Sequence, residues 1–367
     1  MSDDIELPDR IEGAPHPRET LQLFGQGEAE ADFLNAYTGE RLHHAWLLIG
    51  PRGVGKATFA WRAARFLLAH DEGAAVPDSL DISPDHPVAR RLLARSEPQF
   101  YHITRSINED TRRMRDMIVA RDVRDLHNFL MLSSADGGRR TVIIDSADEM
   151  NVQAANALLK MLEEPPARTT MFLISHQPSA LLPTIRSRCR ELRFDTLSSN
   201  DLAQALTQAG IDPGGNAEAL WALTGGSAGE AVRLITLDGL KLYADLVQLF
   251  ADLPDFNRPR ALALANMAAQ RGAEDRLNLL IWLIELMLAR MARAGASGTA
   301  PTPEGAPNEA RMLAHAAPDL AAARRWADCA QDVSARMRQG RAVNLDPAAL
   351  VLDTVFRIQK TAAQLPA

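Results

Sequence analysis

Apolar residues follow two rhythms along this chain, and the change from one to the other divides it. In the first half, short unbroken apolar runs alternate with stretches of helical spacing. Residues 45–49 read Ala-Trp-Leu-Leu-Ile and stop at a glycine turn, which predicts a buried strand. Residues 141–145 and 170–175 have the same character, and 100–103 and 189–194 bring the predicted strands to five. Helical patterns lie at 28–37, 58–69, 118–130, 151–164 and 181–186, with Pro165 and Pro166 stopping the fourth. Apolar strands alternating with helices predict a parallel sheet covered on both faces. Residues 71–98, with their prolines and charges, predict a surface insertion. Residues 1–20, polar and Pro-rich, predict a loose arm.

After about residue 196 the strand rhythm disappears. Residues 197–237 predict a small helical unit turning at Gly225-Gly226-Ser227. From Leu240 onward the pattern is helical, broken by a flexible Gly/Ala/Pro-rich loop at 295–307. The expected organisation is an α/β domain over 1–195, a small helical domain over 196–238 and an all-helical domain over 239–367. No internal repeat is visible.

Composition narrows this picture. At 367 residues the chain can hold two or three domains, and aromatic residues at 5% favour helix over all-β architecture. A net charge of −7 argues against a strong autonomous nucleic-acid binder. Arg112, Arg113, Arg115, Arg121 and Arg124 form a local basic cluster, for which a solvated helix face is the default reading and contact with DNA phosphates or a partner the minority one. Two cysteines, Cys189 and Cys329, exclude a disulfide framework and a four-cysteine zinc module. The acidic, polar first ten residues carry no signal-peptide pattern and no apolar run reaches membrane-spanning length, so a cytoplasmic protein without a membrane partner is expected.

The candidate chemistry begins at the first strand. Gly50-Pro51-Arg52-Gly53-Val54-Gly55-Lys56 fits the GxxxxGK phosphate loop and sits between a strand and a helix. Backbone N–H groups at Gly50, Gly53 and Gly55 can converge on phosphate oxygens, the helix adds its positive end, and Lys56 can reach the outer phosphates. The next residue should carry a hydroxyl for Mg²⁺, but it is Ala57. Thr58, one step on, is retained among the nucleotide contacts although it projects from another part of the helix. Asp145 is the candidate metal carboxylate. Ser146 stands where a water-activating Glu belongs, and a serine is a poor base at neutral pH. Asp148 and Glu149 read as a helix N-terminal charge pair. Two altered catalytic positions predict an inactive or slow ATPase. ATP is the expected ligand, Mg²⁺ is weakened by Ala57, and zinc is not expected.

Further motifs carry a resemblance. Asn156-Ala157-Leu158-Leu159-Lys160-Met161-Leu162-Glu163-Glu164-Pro165-Pro166, Ser187-Arg188-Cys189, and Pro17-Arg18-Glu19-Thr20 with Leu23-Phe24-Gly25-Gln26 resemble segments of the bacterial DNA polymerase III clamp-loader subunits of the AAA+ family. The likeness runs over residues 15 to 235; the C-terminal third shares only its helical character and Asn344-Leu345-Asp346-Pro347. It implies a P-loop AAA+ domain, a helical lid and an all-α collar. It also implies that Arg188 is an arginine finger reaching ATP on a neighbouring subunit, and that Ser175 is the polar sensor beside the phosphate, a strand-end cap being nearly as good a reading. Gly229 or Glu230 stands where a second-sensor arginine belongs. A finger kept while three other elements are missing resembles the delta-prime subunits. Their implied partners are gamma/tau and delta subunits, the sliding clamp and primer-template DNA. The alternatives are a catalytically active gamma/tau-like motor and a nucleotide-binding regulator outside replication.

Overall fold

The structure, a computed structural model, describes residues 8–39, 41–70, 78–131, 138–255, 257–270, 272 and 274–365. By contacts the chain forms two compact units, Met1–Asp212 with Gly226–Gly229, and Pro213–Gly225 with Glu230–Ala367.

The first unit contains β1 (Ala45–Ile49), β2 (Phe100–Ile103), β3 (Arg140–Ile144), β4 (Thr169–Ser175) and β5 (Arg190–Arg193). They form one parallel sheet in the order β2-β3-β4-β1-β5. All residues of β1 and β4, two of the three strands with a neighbour on each side, are buried, while edge strand β5 buries only Leu192. Side chains alternate across the sheet, so Trp46, Leu48 and Phe172 meet one set of helices, and Leu47, Val142 and Leu173 the other. The helices are α1 (Gly27–Thr38), α2 (Lys56–Ala69), α3 (Pro87–Leu93), α4 (Ala120–Met131), α5 (Val152–Glu163), α6 (Pro183–Arg186) and α7 (Ser199–Gln208). α1 and α2 cover the first face through Phe33, Phe59 and Phe66; α4 and α5 cover the second through Leu126 and Leu158. Asn151 caps α5, its side chain accepting from Ala154 N–H at 2.8 Å.

Two expectations are corrected here. Of the insertion, 71–77 lie outside the described residues, but α3 is no surface loop. Its Val88, Ala89 and Leu92 share one helix face and are buried, with Val88 and Leu92 packed in the cluster of Trp61 and Phe66. Of the loose arm, 1–7 lie outside the described residues and 10–13 are exposed, but His16 is 1% exposed and caps a short turn at Pro17–Glu19.

The second unit is helical: α8 (Ala217–Thr224), α9 (Ala228–Thr236, whose first two residues belong to the first unit), α10 (Gly239–Phe250), α11 (Arg258–Ala268), α12 (Glu274–Ser297), α13 (Glu309–Ala316), α14 (Leu320–Ala342) and α15 (Pro347–Ala362). α12 packs along α14, and α11 along α15. Within this unit Glu309, fully buried, holds α10, α12 and the 303–309 loop together. It accepts hydrogen bonds from Tyr243, from Arg290 Nη2 at 3.0 Å and from Gly305 N–H at 2.6 Å. The Arg290 guanidinium also donates to Ala222 O of α8 at 2.9 Å. The loop expected to be flexible is thus pinned at Gly305 by a carboxylate. Cys189 and Cys329 are free thiols. No helix among the described residues is long and apolar enough to cross a membrane.

Candidate phosphate-loop site

The loop between β1 and α2 is held open by its own backbone and clamped from outside. Gly53 lies at φ 78°, in the left-handed region that a side chain disfavours. A Cβ on Gly53 would run into Ser227 Oγ and stand 2.8 Å from Gly229 N. That closeness is bonded: Ser227 Oγ donates to Arg52 O at 2.9 Å, and Gly229 N–H to Gly53 O at 3.2 Å. Buried Gln26 ties the loop to the sheet edge, its Nε2 donating to Val54 O at 3.1 Å and Asp195 O at 2.8 Å.

Lys56 opens α2 and is 3% exposed. Its ammonium donates to Gly50 O at 2.7 Å and to Pro51 O. Burial lowers its pKa to about 8, with Asp145 and Asp148 acting in the opposite direction. Thr58 sits half-buried in the first turn of α2, and Ala57 offers no hydroxyl.

Asp145 follows β3, and burial, with Asp9 as the next cause, pushes its carboxyl up to about 7. Ser146 Oγ stands 3.1 Å from Asp145 Oδ1 and 3.0 Å from His176 Nε2. Burial, then the charges of Lys56 and Arg52, lower the His176 pKa to about 4, which keeps the ring neutral at pH 7. The position of the missing glutamate is therefore a Ser–His hydrogen-bonded pair. Asp148 and Glu149 are corrected: they do not serve the following helix, whose cap is Asn151. Asp148 accepts from the N–H groups of His176 and Gln177, both at 3.1 Å, and Glu149 pairs with Arg52 and Arg105, both at 3.0 Å. Ser175, opposite Ile49 across the strand pair, is fully buried and its Oγ has no hydrogen-bond partner.

These residues fit a polyphosphate better than a metal. The glycine cradle that a Cβ would fill, a buried ammonium and an orphaned hydroxyl at Ser175 are apt for phosphate oxygens. For Mg²⁺ the donor set does not fit: Ala57 has no oxygen, and Asp145 is raised towards neutrality and engaged by Ser146. Among the described residues no group of three or more His, Cys, Asp or Glu is placed to hold a metal.

Lys56, Asp145 and Asp148 are brought together; Arg188 is held elsewhere. It follows α6, where Nη1 donates to Thr184 O at 3.0 Å and Nη2 pairs with Glu163 Oε1 at 2.8 Å, leaving the side chain 35% exposed. Of the basic cluster, Arg112 and Arg113 are exposed beside the Ile107–Met114 bridge, and Arg121 pairs with Glu109 at 3.0 Å. Sequence reasoning missed His176 and Asp9, and had Gln26 only as the end of a resembling segment. His176 alone had a signal, its place directly after the strand-end serine.

A family described as DNA polymerase III, delta subunit, matches residues 25–198, a stretch that holds the loop, Asp145, Ser175 and Arg188. A Pseudomonas aeruginosa protein named DNA polymerase III subunit delta' is 40% identical over 195 residues, 52% of this chain and 55% of that one. Residues 25–198 are thus similar to the delta-prime subunits of DNA polymerase III. An Escherichia coli protein of the same name is 29% identical over 262 residues, 70% of this chain and 72% of that one. The chain thus spans about half the length of the P. aeruginosa relative. Among solved structures, a gamma-subunit-related DNA polymerase III protein of Thermotoga maritima covers 90% of this chain and 100% of its own at 16% identity, with a TM-score of 0.39. The five-stranded parallel sheet, the loop after β1 and the carboxylate after β3 make the first unit an α/β domain of phosphate-loop type.

Proposed function

We propose that this protein is the delta-prime subunit of a clamp loader, a stator that helps place a sliding clamp on primer-template DNA in the cytoplasm. In this reading it binds gamma/tau and delta subunits and touches clamp and DNA through that assembly. Residues 1–195 form the nucleotide-binding domain, 196–238 the lid and 239–367 the collar. Gly50, Gly53, Gly55, Lys56 and Thr58 take the nucleotide's phosphates, with Ser175 as sensor. ATP is the ligand, and hydrolysis on this subunit is weak or absent.

The observation that carries the reading is the state of the site. Ser146 holds the glutamate position and Ala57 the hydroxyl position, while Lys56 is spent on Gly50 and Pro51. Such a site can cradle phosphate, but it lacks a base and a metal ligand. Arg188, by contrast, is partly exposed and held by a carboxylate that a neighbour's phosphate can replace.

The test is reconstitution with gamma/tau and delta partners. The isolated chain is expected to hydrolyse ATP negligibly. Arg188→Ala is expected to slow the site it serves by roughly 10³-fold, the low end for arginine fingers. Unchanged turnover of the complex with that variant would remove the stator reading. Strong Mg²⁺-dependent turnover by the isolated chain, lost in Lys56→Ala, would establish a gamma/tau-like motor instead.

A further inference from the structure

Residues 9–16 make contacts that the phosphate loop does not need for its own fold. Asp9 Oδ2 lies 2.8 Å from His16 Nε2 and 3.7 Å from His102 Nε2, with its side chain 4% exposed. His16 Nδ1 accepts from Arg18 N–H at 3.0 Å, which leaves Nε2, the nitrogen nearest Asp9, to carry the ring proton. Both imidazoles lie edge-on to Trp61, with ring centres 5.7 and 5.1 Å away. Arg10 Nε donates to Ala14 O at 3.4 Å, and Ala14 N–H to Ile11 O at 3.1 Å, folding the segment into a turn.

From this anchor the segment reaches the loop. A Cβ on Gly229 would stand 2.7 Å from Ile11 Cδ1 and 3.1 Å from Gly53 Cα. Ile11, itself 39% exposed, thus has its Cδ1 in the space that a side chain at Gly229 would take, beside Gly53. At its other end the segment places Asp9 beside His102 of β2, the strand that pairs with β3, where its charge acts on Asp145. One end of the segment thus lies against Gly229 beside Gly53, and the other beside His102 of the strand next to β3. It also brings a carboxylate there, which repels a polyphosphate.

We propose that residues 8–16 are a built-in plug of the phosphate-loop cleft, anchored by Asp9 on His16 and His102 and wedged by Ile11 on Gly229, which a nucleoside triphosphate must displace to bind. This rests on reading residues 50–58 as a nucleotide site. The plug explains why Lys56 is satisfied by its own loop: with the cleft filled, the ammonium has only Gly50 and Pro51 to bond. Apparent affinity then falls in proportion to the fraction of molecules with the plug out.

The experiment uses the full chain, the full-length Asp9→Ala/Ile11→Ala variant, and each of these with Lys56→Ala. Binding of N-methylanthraniloyl-ATP is followed by fluorescence, and amide hydrogen exchange of residues 10–16 is measured alongside. The expected result is at least about ten-fold tighter binding by the double variant, abolished by Lys56→Ala. Amides 10–16 should exchange faster in the double variant, and faster in the native chain once the probe is added. Equal affinity of native and double variant, with both lost in Lys56→Ala, overturns the plug and leaves the nucleotide site standing. No binding by any form overturns the nucleotide reading, and with it the plug. Unchanged exchange at 10–16 in the double variant shows that Asp9 and Ile11 do not hold the segment, and overturns the plug alone.

Discussion

In the helical unit, Glu309 is fully buried beside Arg290, and Tyr243 and the Gly305 N–H also donate to it. In the α/β unit, Asp145 is half-buried near Lys56 with one hydroxyl bonded to its side chain, and the buried Ser175 Oγ has no partner among the described residues. The first arrangement satisfies its charges, whereas the second satisfies Lys56 and leaves the Asp145 carboxylate and the Ser175 hydroxyl short. A satisfied buried pair holds helices in place and has nothing left to offer a ligand. An unsatisfied one costs stability and keeps capacity for something that is not part of the chain. The contrast separates the structural network from the candidate site, although the motifs alone would not rank them.

The largest effect expected from breaking this comparison is in the helical unit. Glu309→Ala leaves Arg290 as an uncompensated buried cation and is expected to cost about 3–5 kcal/mol in chemical denaturation. A loss below about 1 kcal/mol would mean that the network is ornamental. The opposite sign is expected at Asp145. Its folded-state pKa is raised from 3.8 to about 7, so the stability this group confers is complete below pH 3.8 and is lost as pH rises through 7. Asp145→Asn should therefore stabilise the protein at pH 8, by an amount on the order of a few kcal/mol, and make no difference near pH 3.5. Destabilisation at pH 8, read as a lower denaturation midpoint, would show that the carboxylate is better satisfied than its contacts suggest.

Smaller effects sharpen the site itself. Gly229→Ala puts a methyl 3.1 Å from Gly53 Cα and is expected to cost about 1 kcal/mol, mostly by pushing Ile11 away. If the variant unfolds at the same denaturant concentration as the native chain, the contact is loose. The smallest effect is expected at Glu163, half exposed in its pair with Arg188. Glu163→Ala should change stability by at most about 0.5 kcal/mol. In the assembled loader it should nevertheless alter the ATPase rate if Glu163 positions Arg188. A rate equal to that of the native complex would leave the pair a surface contact.

Much of the α/β unit was legible because its signals are local. Buried strands are unbroken apolar runs, and Pro165-Pro166 and the glycines around Lys56 mark where helices and turns must stop or begin. The five strands fall within a residue or two of their predicted places. The arm and the insertion were misjudged because polarity was read as exposure. Asp9 and His16 are polar residues buried by pairing with each other and with His102, a partner far along the chain. The α3 helix buries three small or medium apolar residues in a stretch whose charges dominate its composition.

The sequence by itself determined which elements form and which chemical groups are missing from the phosphate loop, since Ala57 and Ser146 are absences that no folding can repair. The tertiary structure alone decided what the remaining groups do. It turned Lys56 onto its own loop, set Ser146 against His176, gave Asp148 and Glu149 to loop contacts, and brought Ile11 to Gly229 across more than two hundred residues of chain. The physical reason is range: backbone preference and periodicity act within a few residues, whereas hydrogen bonding, desolvation and charge act between whatever the fold makes neighbours.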